Sequence, residues 1–176
     1  MKDAQTGILE ALKYSIQMEL DGKRFYTLCN KESGNAAGKE LFAWLAEQED
    51  YHRKRFEEIY DNILKKKGWP VKPVRPDPRP AFMTLFDNAI KELGTAVQTQ
   101  KNEILNAEKA LDLEIKSRDF YKARAARAES EAEKSFFTAV SAEEQGHYLA
   151  LINYKEYMSD PVGWFTRTEH HSIDGE

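Results

Sequence analysis

A single cysteine, Cys29, stands in a chain of 176 residues. One thiol closes no intrachain disulfide, and it does not supply the paired thiolates of a zinc ribbon, a rubredoxin-like site or an iron–sulfur cluster. A reducing, cytoplasmic setting fits that usage. Long apolar runs are missing as well. No stretch approaches the roughly 18 apolar residues of a membrane span, and "MKDAQTGILEALKYS" at the start lacks the apolar core of a secretory leader. The chain is expected to be neither exported nor anchored. Positive charge is not in excess: 26 Lys and Arg against 30 Asp and Glu give a formal charge of -4. Phosphate backbones are held by concentrated positive charge, so nothing supports nucleic acid as the main partner. Proline is scarce outside "GWPVKPVRPDPRP" (68–80), which holds five of the six. That stretch is an extended connection, since proline lacks the helical N–H donor.

What remains is rich in helix formers. Apolar residues make up 41% and charged residues 32%, enough for one domain with a single sizeable core. Apolar side chains recur at helical spacing in four long stretches. The first runs from about residue 6 to 31 through Leu9, Leu12, Ile16, Phe25 and Tyr26, and "ESGN" (32–35) breaks it. The second follows the N-cap Asn35 through Phe42, Leu45, Phe56, Ile59 and Ile63. A third spans roughly 101 to 128 through Ile104, Ala107, Leu111 and Tyr121. The fourth starts at "SEAE", where Ser130 and Glu133 have capping-box spacing, and stops at Asp160-Pro161. A short amphipathic piece at 81–93 lies in the long middle connection, and no segment reads as a strand. Four long helices, two short turns and one long crossover describe an all-α four-helix bundle over residues 1–160, with 161–176 as a C-terminal extension.

The two halves repeat. A shift of 95 residues aligns Glu19 with Glu114, Phe25-Tyr26 with Phe120-Tyr121, Phe42 with Phe137, Glu49 with Glu144, His52 with His147 and the cap Asn35 with Ser130. Helix 2 reads Phe42, Leu45, Glu49, His52, Phe56, Ile59 at alternating steps of three and four, and helix 4 reads Phe137, Val140, Glu144, His147, Leu151, Tyr154. Glu and His thus occupy positions of the apolar seam. Glu19 and Glu114 lie seven residues from apolar neighbours on their own helices, on the same stripe. A solvated helix face also carries such residues, but the seam positions and the repeat both oppose that reading. Four carboxylates and two imidazoles therefore converge at one level of the interior. Buried carboxylates take up protons or find cations. Lys23 and Arg118, which share the offset, lie on turns beyond the glutamates. Two divalent metals balance four glutamates and leave the histidines neutral, and oxygen-rich sites with one imidazole per metal suit iron or manganese better than zinc.

The sequence resembles the rubrerythrin family of ferritin-like carboxylate proteins through "MELDGKRFY" (18–26), "ELFAWLAEQEDYH" (40–52), "LEIKSRDFY" (113–121) and "FFTAVSAEEQGH" (136–147). The resemblance implies two iron ions held by Glu19, Glu49, His52, Glu114, Glu144 and His147, with Glu49 and Glu144 as bridges and Tyr26 and Tyr121 orienting the carboxylates. It implies reduction of hydrogen peroxide or dioxygen. The chain departs from the family's type member in two respects. The four-cysteine rubredoxin-like domain is missing, so the electron donor is expected to be a separate protein such as a rubredoxin. The additional glutamate one turn after the third-helix ligand is replaced by Ser117, mirrored by Gly22. An iron-handling protein with incidental oxidation, and a metal-free structural bundle, are the rival readings. The long crossover lets two chains exchange hairpins, so a homodimer is expected. In the tail, Trp164 and Phe165 are expected to pack on the bundle, in preference to a second metal site at His170 and His171. Lys65, Lys66, Lys67, Lys72, Arg75 and Arg79 read as a solvated linker, and Cys29 as an apolar filler.

Overall fold

Asn35 and Ser130 begin the second helix of each half in the same way. Each has extended backbone and a side-chain oxygen that accepts the N–H three residues on, from Gly38 and Glu133 respectively. The computed structural model describes residues 2–70, 79–97 and 101–170, and among them every regular element is helical. They form α1 (Lys2–Glu32), α2 (Ala36–Leu64), α3 (Arg79–Leu93), a 3-10 turn (Gly94–Ala96), α4 (Lys101–Ala126), α5 (Glu131–Ser159) and α6 (Pro161–His170). Short turns make α1–α2 and α4–α5 antiparallel hairpins, and the two hairpins close an all-α ferritin-like bundle.

The core comes in two apolar layers. Tyr26, Phe42, Leu45, Leu151 and Tyr154 fill one, while Leu12, Phe56, Ile59, Tyr121, Phe137 and Val140 fill the other. Along α2 the sequence passes from Leu45 to Phe56 across Glu49 and His52, and along α5 from Val140 to Leu151 across Glu144 and His147. A polar layer is thereby sandwiched between two dry ones. The repeat also fixes matching polar ties on the outside of each hairpin, Lys23 Nζ to Asp50 at 2.8 Å and Arg118 Nη1 to Gln145 at 2.9 Å. Both basic side chains are spent there, away from the buried glutamates.

The crossover does more than connect. Lys66 in the left-handed region (φ 56°) ends α2, and Trp69 packs against Phe136 and Phe137. Helix α3 buries Phe82, Phe86 and Ile90. Phe82 stacks on Trp44 at 4.1 Å, and Phe86 meets Tyr154. The face between α2 and α5 is thus roofed. In the C-terminal extension Asp160 Oδ1 accepts the Gly163 N–H at 2.9 Å, and Pro161 occupies the first turn, so the chain restarts as α6. Trp164 is buried there and donates to Asn153 at 2.6 Å. The His170 side chain and His171, like Lys72, Arg75 and the Arg79 side chain, lie outside the described residues.

One buried carboxylate is fully satisfied without a cation. Glu103 in the first turn of α4 accepts from Ser33 Oγ (3.0 Å), Gly34 N (2.7 Å) and Asn35 Nδ2 (3.2 Å) on one oxygen, and from Tyr154 OH (2.6 Å) on the other. It ties the α1–α2 turn to the start of α4 and the end of α5. Gly38 is required beside it, because a Cβ there would fall 2.3 Å from Ser33 Oγ and 2.4 Å from Tyr154 OH.

Candidate metal centre

Glu19, Glu49, His52, Glu114, Glu144 and His147 all meet in the polar layer, each between 1 and 5% exposed. They fall into two sets. Glu19, His52 and Glu144 can aim one ligand atom each at a common point, and so can Glu49, Glu114, Glu144 and His147. His52 Nδ1 lies 3.1 Å from Glu144 Oε1 and 3.5 Å from Glu19 Oε2. His147 Nδ1 lies 3.4 Å from Glu114 Oε2, 3.5 Å from Glu144 Oε2 and 3.8 Å from Glu49 Oε1. The imidazole centroids are 5.7 Å apart. Glu144 reaches both sets with its two oxygens, whereas Glu49 stands in the His147 set and lies against Glu19.

The tyrosines are where the repeat implies. Tyr26 OH donates to Glu114 Oε1 and Tyr121 OH donates to Glu19 Oε1, each crossing from one hairpin to the other. Each leaves the second oxygen of its carboxylate turned inward. Among the described residues, seven buried side-chain nitrogen or oxygen atoms lack a hydrogen bond, and five of them are Glu19 Oε2, His52 Nδ1, Glu114 Oε2, Glu144 Oε1 and His147 Nδ1. Buried polar atoms are ordinarily paired. Five orphans facing one another are donor atoms that bound cations would satisfy, and the oxygen-rich set fits iron or manganese.

Without metal the cluster balances its charge with protons. Burial and the Glu19 and Glu144 charges push Glu49 up, and burial with Glu144 pushes Glu114 up to about 8. Burial works against a charged His147, but Glu114 and Glu144 outweigh it and raise the imidazole to about 9. Burial likewise opposes ionisation of Glu144, yet the His147 and His52 imidazoles that face it hold it below the ordinary carboxylate range. Metal ligands must shed such protons. Titrating ferrous iron into metal-free protein under argon at pH 7 in weak buffer is therefore expected to release on the order of three or four protons per chain, from Glu49, Glu114, His147 and His52, the last raised by its carboxylate neighbours against the effect of burial. Uptake with no acidification contradicts this charge assignment.

Sequence reasoning missed two parts of the surroundings. Glu143 Oε2 lies 2.7 Å from His52 Nε2, so a carboxylate on α5 orients the α2 histidine and leaves Nδ1 facing the site. Its side chain is 33% exposed, while the residue that the repeat pairs with it is the buried amide Gln48. Trp44 lies edge-on to His147 at 5.1 Å. The offset pairing of Glu143 with Gln48 was the available signal for the first. Nothing local marked the second.

A four-helix bundle with a glutamate on each of two helices and Glu-x-x-His on each of the other two is the defining arrangement of the ferritin-like dinuclear carboxylate proteins. The model of the Rubrerythrin family matches residues 10–155, a span that includes all six residues, and the chain belongs to that family. Comparisons with curated proteins and with solved structures give no match. The described residues contain no helix long and apolar enough to cross a membrane.

Proposed function

We propose that the protein is a non-haem di-iron oxidoreductase that reduces hydrogen peroxide or dioxygen. The observation that carries this reading is the pair of buried donor sets joined by Glu144. Glu19 and His52 would hold one iron, Glu114, Glu49 and His147 the other, and Glu144 both. When bound, the ferrous pair supplies two electrons to the O–O bond of the oxidant.

The protein's own part is positional. Tyr26 and Tyr121 fix the outer carboxylates, Glu143 fixes the His52 ring, and apolar layers flank the site above and below. The one cysteine, Cys29, is buried in the core and burial pushes its thiol up to about 12, so it makes no in-chain redox centre. In this reading the reducing equivalents are supplied by a separate electron-donor protein such as a rubredoxin. The long crossover suits a homodimer, including one in which hairpins are exchanged. The same donor sets also serve a second reading, an iron-handling protein that oxidises its cargo once.

Iron-loaded protein, reduced anaerobically and mixed with excess hydrogen peroxide and a reductant, separates the two. Many equivalents of peroxide consumed per iron pair are expected. A single stoichiometric oxidation that does not recycle rejects the oxidoreductase and leaves the iron-handling reading.

A further inference from the structure

The two faces of the polar layer are unlike. Helix α3 and Trp44 close the α2–α5 side, with Phe82 stacked on Trp44 and Trp44 edge-on to His147. Between α1 and α4, by contrast, a cleft of about 400 Å³ opens to the surface and ends on Tyr26, Glu49 and Glu114. Its lining is mainly apolar, through Tyr14, Met18, Phe25 and Leu113, and Asp21 and Lys116 line it as well. Two small residues related by the repeat, Gly22 and Ser117, line the same cleft. A Cβ on Gly22 would stand 2.8 Å from Glu49 Oε2, so the missing side chain is what leaves that carboxylate uncovered.

Hydrogen peroxide is small and polar, and it needs neither this volume nor oily walls. A cleft with apolar sides and metal-ligating carboxylates at its end matches a ligand with an apolar body and one polar, reactive end. We propose that the cleft between α1 and α4 takes an uncharged organic hydroperoxide, with its apolar substituent against Tyr14, Met18, Phe25 and Leu113 and its O–OH end toward Glu49 and Glu114. This rests on the peroxide-reducing reading above and names its substrate class. The overall conversion is ROOH + 2 H⁺ + 2 e⁻ → ROH + H₂O. The O–O bond breaks, one oxygen leaves as water and the other stays on the alcohol, and the electrons come from the ferrous pair, replenished by the donor protein.

Two measurements test it together. The first uses metal-free protein and 2-phenyl-2-propanol, the alcohol left by cumene hydroperoxide, in calorimetric titration. Saturable binding with Kd of about 1 mM or tighter is expected, weakened about tenfold or more when Leu113→Trp fills the cleft, with Met18→Trp as an independent second filling. The second uses iron-loaded, reduced protein and compares kcat/KM for cumene hydroperoxide with that for hydrogen peroxide. The ratio should fall about tenfold or more in either variant. Absence of saturable alcohol binding, affinity unchanged by both fillings, or failure to turn over cumene hydroperoxide overturns the proposal. If hydrogen peroxide is still consumed in those cases, only the cleft assignment fails. If neither peroxide is consumed, the oxidoreductase reading fails and takes the hydroperoxide substrate with it.

Discussion

Glu144→Ala is expected to strip metal from both positions at once, from about two ions per chain to well under one by metal analysis after iron loading. Glu144 Oε1 faces His52 at 3.1 Å and Glu144 Oε2 faces His147 at 3.5 Å, so it is the one side chain common to both donor sets. Its removal takes an anionic oxygen from each set and leaves the remaining carboxylates too few to balance two doubly charged cations. Glu114→Ala should be milder, since Glu114 belongs to the His147 set alone. The helical signal of the Glu144→Ala protein should persist. The two apolar layers hold the bundle, and an alanine in the polar layer removes one source of repulsion among buried carboxylates. A variant that retains both metals shows that Glu144 is not the shared ligand.

Glu103→Ala should do the reverse, lowering stability while metal content stays at the wild-type level. Four donors depend on the Glu103 carboxylate: Ser33 Oγ, Gly34 N, Asn35 Nδ2 and Tyr154 OH. Glu103 is 3% exposed, so water does not freely replace it. A buried donor left without its acceptor costs about 1–3 kcal/mol. Asn35 keeps a second partner in the Tyr154 oxygen at 3.0 Å and Ser33 Oγ keeps one in the Asn35 carbonyl at 3.2 Å, so the losses do not simply add. A net loss of about 3 kcal/mol follows, which at roughly 2–4 °C per kcal/mol for a chain of this size is about 10 °C in Tm. Glu103→Gln keeps an acceptor for the α1–α2 turn and should recover most of that. Urea denaturation of the metal-free proteins measures the difference. A change below about 0.5 kcal/mol means the network is not holding the hairpins together.

These two residues also show what the sequence discloses and what it hides. Glu144 was legible because it breaks a pattern: a glutamate on the apolar stripe of α5, three residues before a histidine, with a copy at Glu49 and His52 in the other half. The caps Asn35 and Ser130 were legible because capping is settled within one helical turn. Glu103 was not, because a glutamate in the first turn of a helix is ordinary and its partners lie 51 to 70 residues away. The crossover helix was expected from its amphipathic spacing, but its role as a roof over the α2–α5 face depends on Phe82 meeting Trp44, a contact no local pattern signals. The assignment of Glu49 to the His147 set, with Glu144 alone reaching both, depends on side-chain directions that helical spacing leaves open.

The two repeated halves are not identical. Glu143, next to the shared ligand, braces one imidazole and touches solvent, while its counterpart Gln48 is a neutral amide enclosed in the protein. One histidine is thus made a stronger electron donor than its twin, so two ions bound here would be chemically distinguishable even though the ligands repeat from one half to the other. Such inequivalence would give a bound pair a built-in polarity, with one vacancy favoured to fill before the other.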